Sequence, residues 1–145
     1  MSSYATDVQP VVERIVSHSG TLTVEVIQGA CGCTLAPVSS PDDVFAEFEA
    51  RGVHPAFSVI SFRQPNAARA KNLRILSLTI RDDLTVQEQE VASDYALTIE
   101  RMEMNPRIPP EGAVSYWNEI GNRSVVFQFT STTKRLLSIA VHESG

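Results

Sequence analysis

Cys31-Gly32-Cys33 is the stretch whose residue types carry the most chemistry. Two thiols beside the glycines at 29 and 32 would lie among accessible backbone amides, and a thiolate there could act as a nucleophile or redox centre if its pKa were depressed. The spacing works against that use. One intervening residue does not make a Cys-x-x-Cys redox pair, and a disulfide closed across a single residue is strained. Zinc needs two further ligands, and His18, His54 and His142 are scattered along the chain. The plainer account is two small residues filling a turn beside the core.

A second candidate is electrostatic. Arg63, Arg69, Lys71, Arg74 and Arg81 fall within 19 residues that contain no acid. A loop over Gln64–Asn72 could hold an anion with Arg69, Lys71 and backbone amides. The plainer account pairs these arginines with carboxylates of the acidic helix expected next in the chain, an internal charge balance, or leaves them solvated. The candidate ligand-binding residues are therefore Arg63, Arg69, Lys71 and Arg74 together with Cys31 and Cys33, and an anionic small molecule is the ligand they would suit. The third candidate is Tyr116-Trp117, which includes the single tryptophan. Strand neighbours face opposite ways, so one ring is expected in the core and the other at a surface or interface, where aromatics are enriched. Both rings simply packing inside the fold is the plainer alternative. Glu88 could be a buried base on an apolar helix face, though a face-edge glutamate reaching solvent is the simpler expectation. No H-E-x-x-H, G-x-S-x-G, P-loop or G-x-G-x-x-G is present. No catalytic set, metal site or cofactor is expected.

The elements that must position these residues are read from periodicity. Val8, Val11, Val12, Ile15 and Val16 form a helical stripe within Thr6–His18, ended by Gly20. Leu22, Val24 and Val26 alternate within Thr21–Gln28, which predicts a strand, and Gly29–Cys33 then reads as a turn. Ser40-Pro41-Asp42-Asp43 looks like a helix start, with Val44, Phe45 and Phe48 on the buried side and Arg51-Gly52 as its stop. Ala56–Arg63 and Leu73–Arg81 read as strands, the second apolar on both faces and hence central and covered on each side. Asp82–Asn105 reads as a long acidic helix with Leu84, Glu88, Val91, Tyr95, Thr98, Ile99 and Met102 on one face, and Thr85 with Glu88 as a capping box. Tyr95, Leu97 and Ile99 also alternate, which leaves a strand open for its second half. Ala113–Ile120 and Arg123–Thr130 flank a Gly121-Asn122 turn, and Leu137, Ile139 and Val141 mark a last strand.

The expected fold is a single α+β domain over residues 1–145, in the order α-β-α-β-β-α-β-β-β. A mainly antiparallel sheet of about six strands, ending in a three-stranded meander, would be covered by about three helices. The chain has 145 residues, 43% of them hydrophobic, and a net charge of −5, the balance of a soluble acidic protein. That charge argues against general nucleic-acid binding, which needs a basic surface. No secretory signal, lipid anchor or membrane span is expected, which points to a cytoplasmic protein. Two cysteines near one turn give no disulfide framework. The functional expectation is a non-enzymatic protein-binding or assembly module, homo-oligomeric, such as an adaptor, an immunity-type protein or a phage structural subunit. The rival is a small enzyme or anion-binding sensor with its site between the Cys31–Cys33 turn and the Gln64–Asn72 loop.

Overall fold

The computed structural model describes residues 3–38, 45–65, 73–97 and 112–144, together with the backbone of 102–105. The chain enters through a wide π-helical turn, Tyr4–Val8, that runs into helix α1, Gln9–Val16. Pro10 supplies no N–H for a regular bond one turn back, which suits the wider turn before it. The valine stripe does what its spacing predicts, since Val8, Val11, Val12 and Ile15 are all buried.

Helix α2, Val24–Cys31, replaces the expected strand. The Thr23 hydroxyl accepts from the Val26 N–H at 3.2 Å, and Gly32 closes the helix at φ +69° with its N–H on the Gln28 carbonyl. Ile27, Ala30 and Cys31 are the buried side, so the apparent glycine turn is the helix's last turn. Two good caps and burial against the core outweigh the strand preference of a valine-rich run. The expected helix after Ser40 is also overturned. Phe45–Arg51 is strand β2, in which Ala46, Phe48 and Ala50 share one face and Phe45, Glu47 and Glu49 the other. Gly52, at φ +67°, begins the hairpin turn that follows rather than ending a helix.

β1 (Ala36–Val38), β2, β3 (Phe57–Pro65) and β4 (Leu73–Ile80) form one antiparallel run. β5 (Met102–Asn105), β6 (Ala113–Ile120), β7 (Arg123–Thr130) and β8 (Leu136–Ser144) form a second. The runs meet where β4 pairs with β8, giving one eight-stranded sheet in the order β1-β2-β3-β4-β8-β7-β6-β5. The α+β class and the C-terminal meander stand. The sheet loses the strand expected at Thr21–Gln28 and gains β1, β2 and β5.

The long acidic helix is the largest departure. Among the described residues of this stretch only Glu88–Ala92 is helical, forming α3, and Met102–Asn105 is a strand. Residues 98–101 lie outside the described residues. The cap is two residues later than expected: the Glu90 carboxylate accepts from the Gln87 N–H at 2.8 Å. Glu88 and Leu136 tie this segment to the last strand through Lys134 O and Val86 O. Tyr95 then turns away to pack at a tilt against Phe127, with ring centroids 5.0 Å apart and ring planes at 43°. An internal charge balance between a long helix and the arginine segment falls with that helix. Arg81 pairs with Asp83 at 2.8 Å, but Arg63 pairs with Glu47 of β2.

Among the described residues, α1, α2 and α3 lie on one face of the sheet. Their buried side chains join Ile60, Phe62, Leu76, Leu78, Phe127, Phe129, Ile139 and Val141 in one cluster. β4 is central, as expected, yet covered on one side only among the described residues. Leu76, Leu78 and Ile80 are buried, whereas Leu73, Ile75 and Ser77 are half-buried and Thr79 is exposed. No helix among the described residues is long and apolar enough to cross a membrane.

Candidate interaction surface

The second face of the sheet follows from strand alternation, because every residue adjacent to a core residue points away from the helices. Three rows cross β3, β4, β8, β7 and β6 without a break in register. The first is Arg63, Ile75, His142, Ser124 and Glu119. The second is Ser61, Ser77, Ala140, Val126 and Trp117, and the third is Val59, Thr79, Ser138, Gln128 and Ser115. None of these joins the core cluster beneath the helices, although Val126 is itself buried at 9% exposure. Only Arg63 and Glu119 are charged, and they stand at opposite ends of one row.

Trp117 lies on this open face and Tyr116 on the helical face. The Trp117 ring meets His142 edge-on, with centroids 5.4 Å apart, and burial pushes the His142 imidazole below its ordinary pKa, so it is neutral near pH 7. Tyr116 is buried against Phe129 and its phenol is pushed up, chiefly by burial and then by Glu88. At one end of the row, Arg63 reaches Glu47 at 3.3 Å and lies over the Phe45 ring at 5.8 Å. At the other, Ser124 donates to Glu119 at 2.8 Å. A hollow of about 310 Å³ opens where Ser77, Thr79, Gln128 and Ser138 meet Arg135.

The remaining candidates do not converge. Arg69 and Lys71 lie outside the described residues. Register with Ile75 puts Arg63 on the open face, whereas Arg74 alternates to the helical face opposite Glu143. Cys31 is buried at the end of α2, and Cys33 is half-buried just beyond it. Burial, then the neighbouring Cys33, pushes the Cys31 thiol up to about 12, and burial also raises Cys33. This is the opposite of the depression a reactive thiolate needs. Both thiols are expected to react with iodoacetamide at pH 8 more slowly than free cysteine, Cys33 first. Mass spectrometry of the alkylated protein checks the order, and fast labelling of Cys31 would mean that its site is open.

Two residues of consequence were missed. Arg123 and Glu143 are 5% and 2% exposed and joined at 2.8 Å. The Arg123 guanidinium also donates to the carbonyls of Ile15, Val16, His18 and Gly20, just where α1 ends, and Glu143 accepts from the Leu22 N–H at 3.0 Å. The pair latches the N-terminal helices onto the sheet. Its signal was legible: Arg123 is in phase with Val125, Phe127 and Phe129, and Glu143 with Ile139 and Val141.

On the helical side, Tyr4, Gln9, Glu90, Ser93 and Asp94 line a hollow of about 500 Å³, with the Tyr4 hydroxyl donating to Asp94 at 2.8 Å. Burial, then that hydrogen bond, raises the Tyr4 phenol well above its usual range. Among the described residues, no three His, Cys, Asp or Glu side chains gather in a way that could hold a metal ion. No protein-family model, curated protein or solved structure matches this chain.

Proposed function

We propose that the chain is a non-enzymatic protein-binding and assembly module that self-associates through the open face of its sheet. One observation carries this reading. Five neighbouring strands present three rows of mostly apolar, hydroxyl and small side chains, with His142 and Gln128 among them and charges only at two ends, on the side the helices leave uncovered. Ordinary protein surfaces intersperse both signs of charge throughout, and depletion of charge at the centre of a patch is the compositional mark of interfaces. The rival sensor reading has less support, since its thiols are held protonated by burial and Arg63 and Arg74 lie on opposite faces.

Light scattering of the full chain over a concentration series tests the proposal. The mass is expected to rise toward a multiple of the 15.9 kDa chain. Because Trp117 is the single tryptophan and stands on the face, its emission is expected to shift to the blue in step. Ala140→Asp, at the centre of the face, is expected to leave a monomer. Val53→Asp, at the exposed β2–β3 turn, is expected to change nothing. A strict monomer at the highest soluble concentration would sink the proposal.

A further inference from the structure

Resting on that proposal, we infer that the partner is a second copy of this chain stacked face to face, with a two-fold axis parallel to β8 in the plane between the two sheets, so that Arg63 of each copy meets Glu119 of the other. The sheet order supplies the geometry. β8 has β4 and β3 on one side and β7 and β6 on the other. Rotation about an axis along β8 therefore lays β4 over the second β7 and β3 over the second β6. Positions within a row stay in that row.

The three rows are self-complementary under this operation. In the first, Arg63 faces Glu119, and Ile75 faces Ser124. In the second, Trp117 faces Ser61 and Val126 faces Ser77, each large side chain over a small one, while Ala140 meets its own copy. In the third, Thr79 faces Gln128. Turning the second sheet about an in-plane axis across the strands instead stacks β3 on β3 and β6 on β6. With that axis on the middle row the outer rows exchange places: Trp117 then faces Trp117, Arg63 faces Val59 and Glu119 faces Ser115, so neither charge nor size matches.

Edge pairing is the poorer route to assembly. β1 has three residues, one of them Pro37, and β5 has four. Short, proline-bearing edges offer few free ladder groups. The face is large enough: five strands about 4.8 Å apart and three rows about 6.8 Å apart span roughly 500 Å² per copy. Both copies together then reach about 1,000 Å², the lower bound for a specific interface. Stacked sheets lie about 10 Å apart and rotate about 30° against each other. Two strands from the axis that rotation moves a side chain about 5 Å, within the reach of an arginine.

Charge exchange tests the geometry. Arg63→Glu and Glu119→Arg, made singly, each replace two attractive contacts by two repulsive ones and are expected to weaken self-association by about tenfold or more. The chain carrying both changes is expected to associate like the parent. An equimolar mixture of the two single variants is expected to form a mixed dimer more tightly than either variant pairs with itself, because every cross-contact is again of opposite sign. Light scattering and Trp117 emission read the association, and circular dichroism checks folding. Should Arg63→Glu misfold beside Glu47, Ser61→Trp with Trp117→Ser makes the same test by size: Ser61→Trp alone weakens pairing and the double change restores it. A parent chain that associates while the exchanged and single variants all behave alike overturns this geometry and leaves the assembly proposal standing. A monomeric parent overturns both.

Discussion

Arg123→Met is expected to remove about 3–5 kcal/mol of folding stability, the range for breaking a buried ion pair from one side. The guanidinium does two things that methionine cannot. It neutralises Glu143, which is 2% exposed, and it satisfies the carbonyls of Ile15, Val16, His18 and Gly20 at the end of α1. Losing it strands a carboxylate and several acceptors in a site with little water, where unpaired polar groups are costly. Arg123→Lys keeps the charge but not the planar fork, so most of the loss is expected to remain. Arg123→Met with Glu143→Leu removes both charges and is expected to be more stable than Arg123→Met alone. Urea unfolding, read as midpoint shifts at constant slope, gives the values. A loss below about 1 kcal/mol would place the pair in the class of solvated surface bridges and end the latch assignment.

Phe127→Ala carries the second large effect, again about 3–5 kcal/mol, because a fully buried aromatic leaves a cavity that its neighbours fill only in part. Phe127 sits in register between Tyr116 and Ile139, with the Tyr95 ring packed at a tilt against it. Gln128, the next residue, points to the open face, and Gln128→Ala is expected to stay within about 0.5 kcal/mol. The contrast tests the assignment of faces more sharply than either value. Equal losses at the two positions would mean that the helices do not lie where described.

Local pattern was enough wherever one chemical signal stood alone. The Val8–Ile15 stripe could only be a helix, and the alternation of Arg123–Thr130 after Gly121-Asn122 could only be a hairpin arm. Gly121 occupies the left-handed region that such a turn requires. The failures came where two periods coexisted. Thr21–Gln28 alternates like a strand, yet Thr23 and Gly32 frame a helix. Phe45–Arg51 carries phenylalanines at helical spacing, yet also an alanine–glutamate alternation that its pairing with β3 selects. In Asp82–Asn105 the helical face ran through Tyr95, which the tertiary structure spends on Phe127 instead.

The candidate site divides the same way. Sequence by itself determined the residue types: one tryptophan beside a tyrosine, thiols too close for redox pairing, and a net acidic chain without a catalytic motif. It also determined which side chains alternate within each strand. Only the tertiary structure decided that β4 joins β8 and that all three helices take one face. That joining turns residues as distant as Arg63, His142 and Glu119 into one row. The physical reason is that strand pairing and helix docking depend on contacts between remote segments. Alternation within a strand specifies two faces, and only those contacts decide which one is left open.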